Sequence, residues 1–366
     1  MLAENNLREL LEFSATTPVL SVYLNTEPSE GNADAYRLRL RSMLKDAALP
    51  QDVAAVEKFI ATSYDWSGRS VAIFSCAEKD FFRAYPLEVP TRSLVSSGPT
   101  FAVKPLADLL DNFGGYGVVL VDKQGARLFY YHMGKLREQE GVLGDPVKKV
   151  KAGGTTVAGG RGTAQNAAHH LEEIVERNMR ETVDFAVKFF EDNHVRRVLV
   201  GGTEDNVALF RSLLPKAWQS LVSGSFHMNM NASHSDVLAR ALQIGHETER
   251  KREAKMVENL ITTAAKGAGA VLGLRDALRA AEEGRVQTLL VAEGYQQAGF
   301  RCSGCGSLLL ESGERCKDDC SEPRLSVADL VDPVVHKVLA MGGNVEIVHT
   351  HEALQGGGHI GAMLRY

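Results

Sequence analysis

Five glycines lie between Gly153 and Gly162, and the tract runs straight into a helical pattern from about Ala167 to Glu191. Glycine takes positive φ at no steric cost, so such a stretch holds no single conformation unless a partner orders it. It reads as a connection that is either plain surface loop or functional loop. Its tip, Gly160-Arg-Gly-Thr-Ala-Gln165, meets the start of the helix, where unpaired backbone N–H groups can face an anion or an oxyanion. Lys148, Lys149, Lys151 and Arg161 flank it, and no acid occurs from Pro146 to Gln165. The whole chain carries a net charge of −5, so positive potential is concentrated around this loop. No Gly-Lys-Ser/Thr follows the glycines and no clean strand precedes them, which excludes a P-loop and a dinucleotide fingerprint.

At 366 residues, 44% hydrophobic and 24% charged, the chain is a globular protein too long for one ordinary core. No apolar run approaches the ~20 residues that span a bilayer. The first residues, MLAENNLRELLEF, carry acids at amphipathic spacing and do not read as a secretion signal. Cytoplasmic location is the expectation.

Three segments are expected: 1–112, 113–235 and 236–366. In the first, Leu2 to Phe13, Arg37 to Leu49 and Val53 to Ser63 read as helices, and Val19 to Leu24, Ser70 to Phe74 and Phe81 to Leu87 as strands. The second opens on a buried-type strand, Tyr116 to Asp122. A turn at Lys123-Gln-Gly125 leads into Arg127 to Tyr131, a hairpin pattern. The long helix follows, then a strand from Arg197 to Val200 and a helix near Asn206 to Leu214. A charged helical pattern from about Ser235 to Gly267 bridges to the third segment. There, Gly273 to Glu283 and Val327 to Met341 read as helices, and Val286 to Val291, Val345 to Val348 and Ile360 to Tyr366 as strands. Alternating strands and helices predict an α/β protein with predominantly parallel or mixed sheets covered by helices.

Four of the five cysteines fall within nineteen residues, as Cys302-x2-Cys305-x10-Cys316-x3-Cys320. This spacing, in an insertion over 300–322, predicts a closed tetrahedral Zn²⁺ knuckle with a structural role, in a reducing compartment. Cys76 reads as a buried apolar residue.

The tip sequence Gly160-Arg-Gly-Thr-Ala-Gln165 resembles the Gly-Arg-Gly-Gly-Gln loop of eukaryotic and archaeal class I peptide chain release factors, with Gly-x-x-Gln in place of Gly-Gly-Gln. That variant is similar to the loop of the ankyrin-and-zinc-finger peptidyl-tRNA hydrolases. The order of the strand pair from Tyr116, the long helix and Val198-Leu-Val-Gly-Gly-Thr203 resembles the family's central domain. Ala280-Glu-Glu-Gly-Arg-Val-Gln-Thr-Leu-Leu-Val291 and Gly358-His-Ile-Gly-Ala-Met-Leu-Arg-Tyr366 resemble its C-terminal domain, so the likeness covers about Tyr116 to Tyr366. It implies a release-factor/Pelota architecture of three domains and a ribosome-associated hydrolase of the ester joining peptide to tRNA. In that picture Gln165 enters the peptidyl-transferase centre from the A site, and its backbone N–H and side-chain amide stabilise the oxyanion and place water. Gly162, Thr163 and Ala164 supply the loop's geometry, while Arg161, Lys148, Lys149 and Lys151 neutralise phosphates of rRNA and tRNA. A translational GTPase is a further candidate partner.

The first segment lacks an Asn-Ile-Lys-Ser motif, and Phe74-Ser-Cys76 departs from the family's Tyr-x-Cys-x-x-x-Phe element. Stop-codon decoding is therefore not expected; rescue of stalled ribosomes is. The alternatives are a non-catalytic Pelota-like ribosome or RNA binder and a ribosome-independent tRNA hydrolase. His349, His351, Glu352 and His359 read as polar residues of a strand and turn, and His169 and His170 as exposed residues of a first helical turn.

Overall fold

The computed structural model describes residues 4–144, 161–267, 269–316, 320–349 and 352–365. These fall into two compact units: 113–251, and a second made from 1–112 together with 252–366.

The first part of the two-part unit runs α1 (Glu4–Glu12), β1 (Val19–Asn25), α2 (Ala33–Leu44), α3 (Pro50–Thr62), β2 (Ser70–Cys76), β3 (Phe81–Leu87), β4 (Leu94–Gly98) and α4 (Lys104–Phe113). Its sheet has the order β3-β2-β1-β4, and every pairing is antiparallel. The alternation of elements predicts a parallel or mixed sheet, and here it misleads for a simple reason. Two consecutive helices, α2 and α3, join β1 to β2, and a second helix reverses the chain once more than a single crossover would. The helices start where their sequence allows: the Asn32 side chain accepts from Ala35 N–H, and Pro50 occupies the first turn of α3. Leu20, Val22 and Leu24 face Tyr36, Leu40, Val56 and Ile60 in a core on one side of β1. On the other, the fully buried Tyr23 donates its hydroxyl to Ala102 O at 2.6 Å. Cys76 is fully buried, as expected.

The 113–251 unit contains β5 (Tyr116–Val121), β6 (Gly125–His132), β7 (Lys135–Leu143), α5 (Arg161–Asp192), β8 (Arg197–Gly202), α6 (Glu204–Leu213), α7 (Lys216–Leu221), β9 (Val222–Phe226) and the start of α8 (His234–Ala265). Its five strands lie in the order β7-β6-β5-β8-β9. The pairing is antiparallel through the β5–β6–β7 meander and parallel across β5, β8 and β9. Period-2 alternation sends Val119 and Val121 to a face covered by α5 and α6, with Met179, Val183, Phe190 and Phe210. Val118 and Leu120 turn to the opposite face, against Val237 and Ala241 of α8.

The last part of the chain adds β10 (Ala270–Leu272), α9 (Leu274–Glu282), β11 (Val286–Ala292), β12 (Gly299–Cys302), β13 (Leu308–Leu309), β14 (Arg324–Val327), α10 (Val331–Ala340), β15 (Asn344–Val348), α11 (Glu352–Gly356) and β16 (Ile360–Leu364). The sheet order β10-β16-β11-β15 is mixed, with β11 and β15 parallel across the α10 crossover. Strands β12 to β14 form a separate three-stranded antiparallel sheet inserted into that crossover. Residues 324–327 join this small sheet, so the helix expected from Val327 begins only at Val331. Among the described residues no helix is long and apolar enough to cross a membrane.

The two parts of the discontinuous unit are tied at the start of α10, where Asp332 Oδ1 accepts the Lys104 backbone N–H at 3.0 Å. Desolvation pushes the Asp332 carboxyl up to about 7. An acid whose folded pKa is raised contributes stability that is complete below its unfolded pKa and is lost as pH rises through the folded one. The thermal midpoint of the chain should therefore fall more steeply between its ordinary 3.8 and about 7 than that of Asp332→Asn, which keeps the acceptor oxygen without the charge; equal slopes in a melting series would refute this.

Phe190, fully buried at the anchored end of α5, should cost about 3–5 kcal/mol when replaced by Ala. Glu173→Ala, toward the other end of the same helix, should change stability by no more than about 0.5 kcal/mol. Denaturant titration of both variants distinguishes the two ends.

Candidate catalytic loop and metal centre

The helix carrying the Gly-x-x-Gln segment begins at Arg161, six residues before the expected start near Ala167. Beyond Gly160 nothing in the sequence opposes helix. A single Gly162 costs about 1 kcal/mol relative to Ala, which Thr-Ala-Gln-Asn-Ala-Ala and a 32-residue helix readily absorb. Gly162, Thr163, Ala164 and Gln165 are thus backbone members of the first turns of α5. The first-turn N–H groups of Arg161, Gly162 and Thr163 have no intrahelical carbonyl to bond, and the helix dipole places its positive end there. In the regular helix the Gln165 N–H is directed at the Arg161 carbonyl. The basic residues Lys148, Lys149 and Lys151 lie outside the described residues.

Helix α5 changes character along its length. Residues 169–177 include no buried side chain, whereas Asn178, Met179, Thr182, Val183, Ala186, Phe189 and Phe190 are all buried. From Arg161 to Arg177 the helix extends about 25 Å at 1.5 Å per residue. His169 and His170 are exposed on this stretch and lie 3.8 and 3.7 Å from Glu172 and Glu173, pairs too solvated to stabilise much.

The transition falls at Asn178, which is 1% exposed. Its Nδ2 donates to Lys123 O at 3.2 Å, in the turn between β5 and β6. Gly144, the last described residue before the loop, packs so tightly on it that an added Cβ would sit 2.5 Å from Asn178 Oδ1. The Gly144 N–H donates to Gln124 O at 2.6 Å. One side chain therefore binds the helix, the β-turn and the chain leading into the loop. Sequence reasoning overlooked Asn178, although a signal existed. It and Thr182, one turn on, are the polar members of an otherwise apolar helical stripe.

The four clustered cysteines come together as the spacing predicts. Cys302 ends β12, Cys305 follows in a tight turn closed by Gly306 N–H to Cys302 O at 2.9 Å, and Cys316 and Cys320 precede β14. Their four sulfur atoms all lie within 4.8 Å of one another. Cys320 N–H donates to Cys316 Sγ at 3.1 Å, and Cys305 Sγ lies 3.1 Å from Ser307 Oγ. Chiefly through the Ser307 hydroxyl, the Cys305 thiol is held down to about 6. Hydrogen bonding to Cys305 pushes Cys320 up to about 12. Four sulfur donors gathered this closely form a set that a metal ion could bind in place of the thiol protons. His349 differs from its expected place as a plain strand-end polar residue: it is half-buried, with Nδ1 3.1 Å from Glu253 Oε1.

Residues 102–246 match the model described as bacterial archaeo-eukaryotic release factor family 10. The chain is similar to peptide chain release factor subunit 1 of Pyrococcus abyssi, 26% identical over 73% of this chain and 70% of the relative. The corresponding protein of Thermococcus sibiricus is 24% identical, with 78% and 74% covered. Among solved structures, Pelota of Archaeoglobus fulgidus aligns over 81% of this chain and 79% of its own, at 16% identity and a TM-score of 0.31.

Metal analysis of the purified chain should find about one bound ion per chain, and Cys316→Ser should lose it together with part of the thermal stability. A metal-free wild type with an unchanged melting profile in chelator would remove the metal centre.

Proposed function

From the match of residues 102–246 and the likeness to archaeal release factors, we propose that the chain is a release factor/Pelota-like protein that acts at the ribosome as a rescue factor, hydrolysing the ester between a nascent peptide and its tRNA. One observation carries this reading. The segment resembling the catalytic loop of release factors starts a helix whose first seventeen residues include no described side chain buried in the unit. A loop held about 25 Å beyond its anchorage can enter a narrow RNA cavity while the rest of the unit stays outside.

In this mechanism Arg161, Lys148, Lys149 and Lys151 neutralise phosphates along the entrance. The unpaired N–H groups of Arg161, Gly162 and Thr163 face the developing oxyanion, and the Gln165 side-chain amide positions water without titrating. For the Gln165 N–H to join them, the first turn must open, and Gly162 lowers the cost of that opening. Much of the rate enhancement would come from holding ester and water in place. Stop-codon reading is not part of the proposal, because the first segment lacks the decoding motifs.

The same reading assigns zinc to the cysteine centre. Tetrahedral Zn²⁺ with Zn–S bonds of about 2.3 Å holds its sulfurs about 3.8 Å apart, a modest contraction from the arrangement present. With all four positions taken by cysteine, the ion would staple β12, β13 and β14 and take no part in catalysis.

Release of labelled peptide from stalled ribosome complexes tests the assignment. Gln165→Ala, which removes the amide that positions water, should slow release about a hundredfold, the scale of misplacing a reactant, while leaving ribosome binding intact. Equal release by both proteins would sink the catalytic role. Binding with no release by either would leave a non-catalytic Pelota-like factor.

A further inference from the structure

The parallel strands β11 and β15 end side by side, with Ala292 opposite Val348. Beyond them a cavity of about 330 Å³ opens, lined on one side by Gly294 and Tyr295 and on the other by Leu354 and Gln355 of α11. The carboxyl ends of adjacent parallel strands are where open α/β sheets hold ligands, and this volume lies at the small end of such sites. The cysteine centre does not contribute to it.

Its polar lining comes from Glu293, Tyr295, Gln296, His349, Gln355 and His359. The charge on His349 is already matched, because both its ring and its backbone N–H lie 3.1 Å from the carboxylate of Glu253, which is only 5% exposed. That contact holds the imidazole protonated, up to about 9. Behind this pair Asp108 of α4 brings a second carboxylate within electrostatic reach, and Glu293 sets a third on the exposed rim. Lys104 is the other nearby cation, and its ammonium donates to Tyr295 O. With Glu253 matching His349 and burial pushing the Asp108 carboxyl up to about 6, the exposed Glu293 carboxylate is the charge that the mouth of the crevice presents, which disfavours phosphate and carboxylate ligands. The Tyr295 and His359 rings stack, centroids 5.1 Å apart and 14° from parallel, and offer an aromatic face beside the Glu293 rim.

We infer that this crevice binds a guanidinium or ammonium group. Glu293 accepts its N–H donors in charge-assisted hydrogen bonds, the Tyr295–His359 pair supplies a cation–π surface, and the amide oxygens of Gln296 and Gln355 are acceptors around the rim. Because one side of the cavity is open, the group can belong to a free amine or to an arginine side chain presented by a protein, and the test separates these.

Calorimetric titration of the full chain should use agmatine, an acetylated arginine amide, the isosteric uncharged citrulline amide, and adenosine monophosphate. The expected result is binding of agmatine, the arginine amide or both, weakened by salt, with citrulline and the nucleotide at least tenfold weaker. Preference for the arginine amide points to a protein partner, and preference for agmatine to a free amine. Glu293→Gln should weaken binding about tenfold with an unchanged melting temperature, since the side chain is exposed. Tyr295→Phe should retain binding and Tyr295→Leu should lose it. Citrulline binding as tightly as arginine, a tighter nucleotide, no bound cation, or indifference to Glu293→Gln would each overturn the assignment.

Discussion

The anchorage of α5 is the constraint on which the rest of the central unit depends. A 32-residue helix is far longer than a six-residue strand needs for cover, so the sheet can hold only part of it. Met179, Val183, Ala186 and Phe190 pack against Val119, Val121, Val198 and Val200. Burial of that stripe fixes the direction of everything N-terminal to it, because an α-helix transmits orientation along its axis. Asn178 completes the clamp by adding the β5–β6 turn and Gly144 to the same point. The projecting half needs no core of its own, which is why its surface can be charged and its tip rich in glycine.

Such a division resolves an apparent conflict of charge. A chain with a net charge of −5 is poorly suited to coating RNA, and Glu172, Glu173 and Glu176 on the projecting helix do not help. The acid-free stretch from Pro146 to Gln165 confines positive charge to the part proposed to enter an RNA cavity. Electrostatic attraction acting within about 10 Å makes local sign matter more than the total. The crevice at the ends of β11 and β15 belongs to the other compact unit, so the two proposed sites would select ligands of opposite charge.

The same economy governs the inserted sheet. Strands of two to four residues bury too little to order themselves, and the small core there consists of Cys302, Leu309 and Cys316 with a few partly buried neighbours. Four cysteines gathered in place of further apolar side chains could draw that missing stability from a bound metal ion.

Much of this was legible in the residues themselves. Period-2 runs such as Val118-Val-Leu-Val121 and the helical stripe of α5 identify elements because side-chain direction follows backbone geometry. The cysteine spacing identified its cluster, and the Gly-x-x-Gln tip identified the candidate loop. Short or exposed elements without periodicity, including β4, β7 and β9, were missed, since pairing with a neighbour and not local propensity makes them strands. The antiparallel order of the first sheet, the joining of 1–112 with 252–366 in one unit and the pairing of His349 with Glu253 depend on residues far apart in the chain. The position of Asn178 as a clamp is of the same kind. Sequence alone determined which segments could be helix, strand, loop or metal ligand, because those follow from local chemistry. Tertiary structure decided which of them meet, because burial and hydrogen bonding act between residues that the linear order keeps apart.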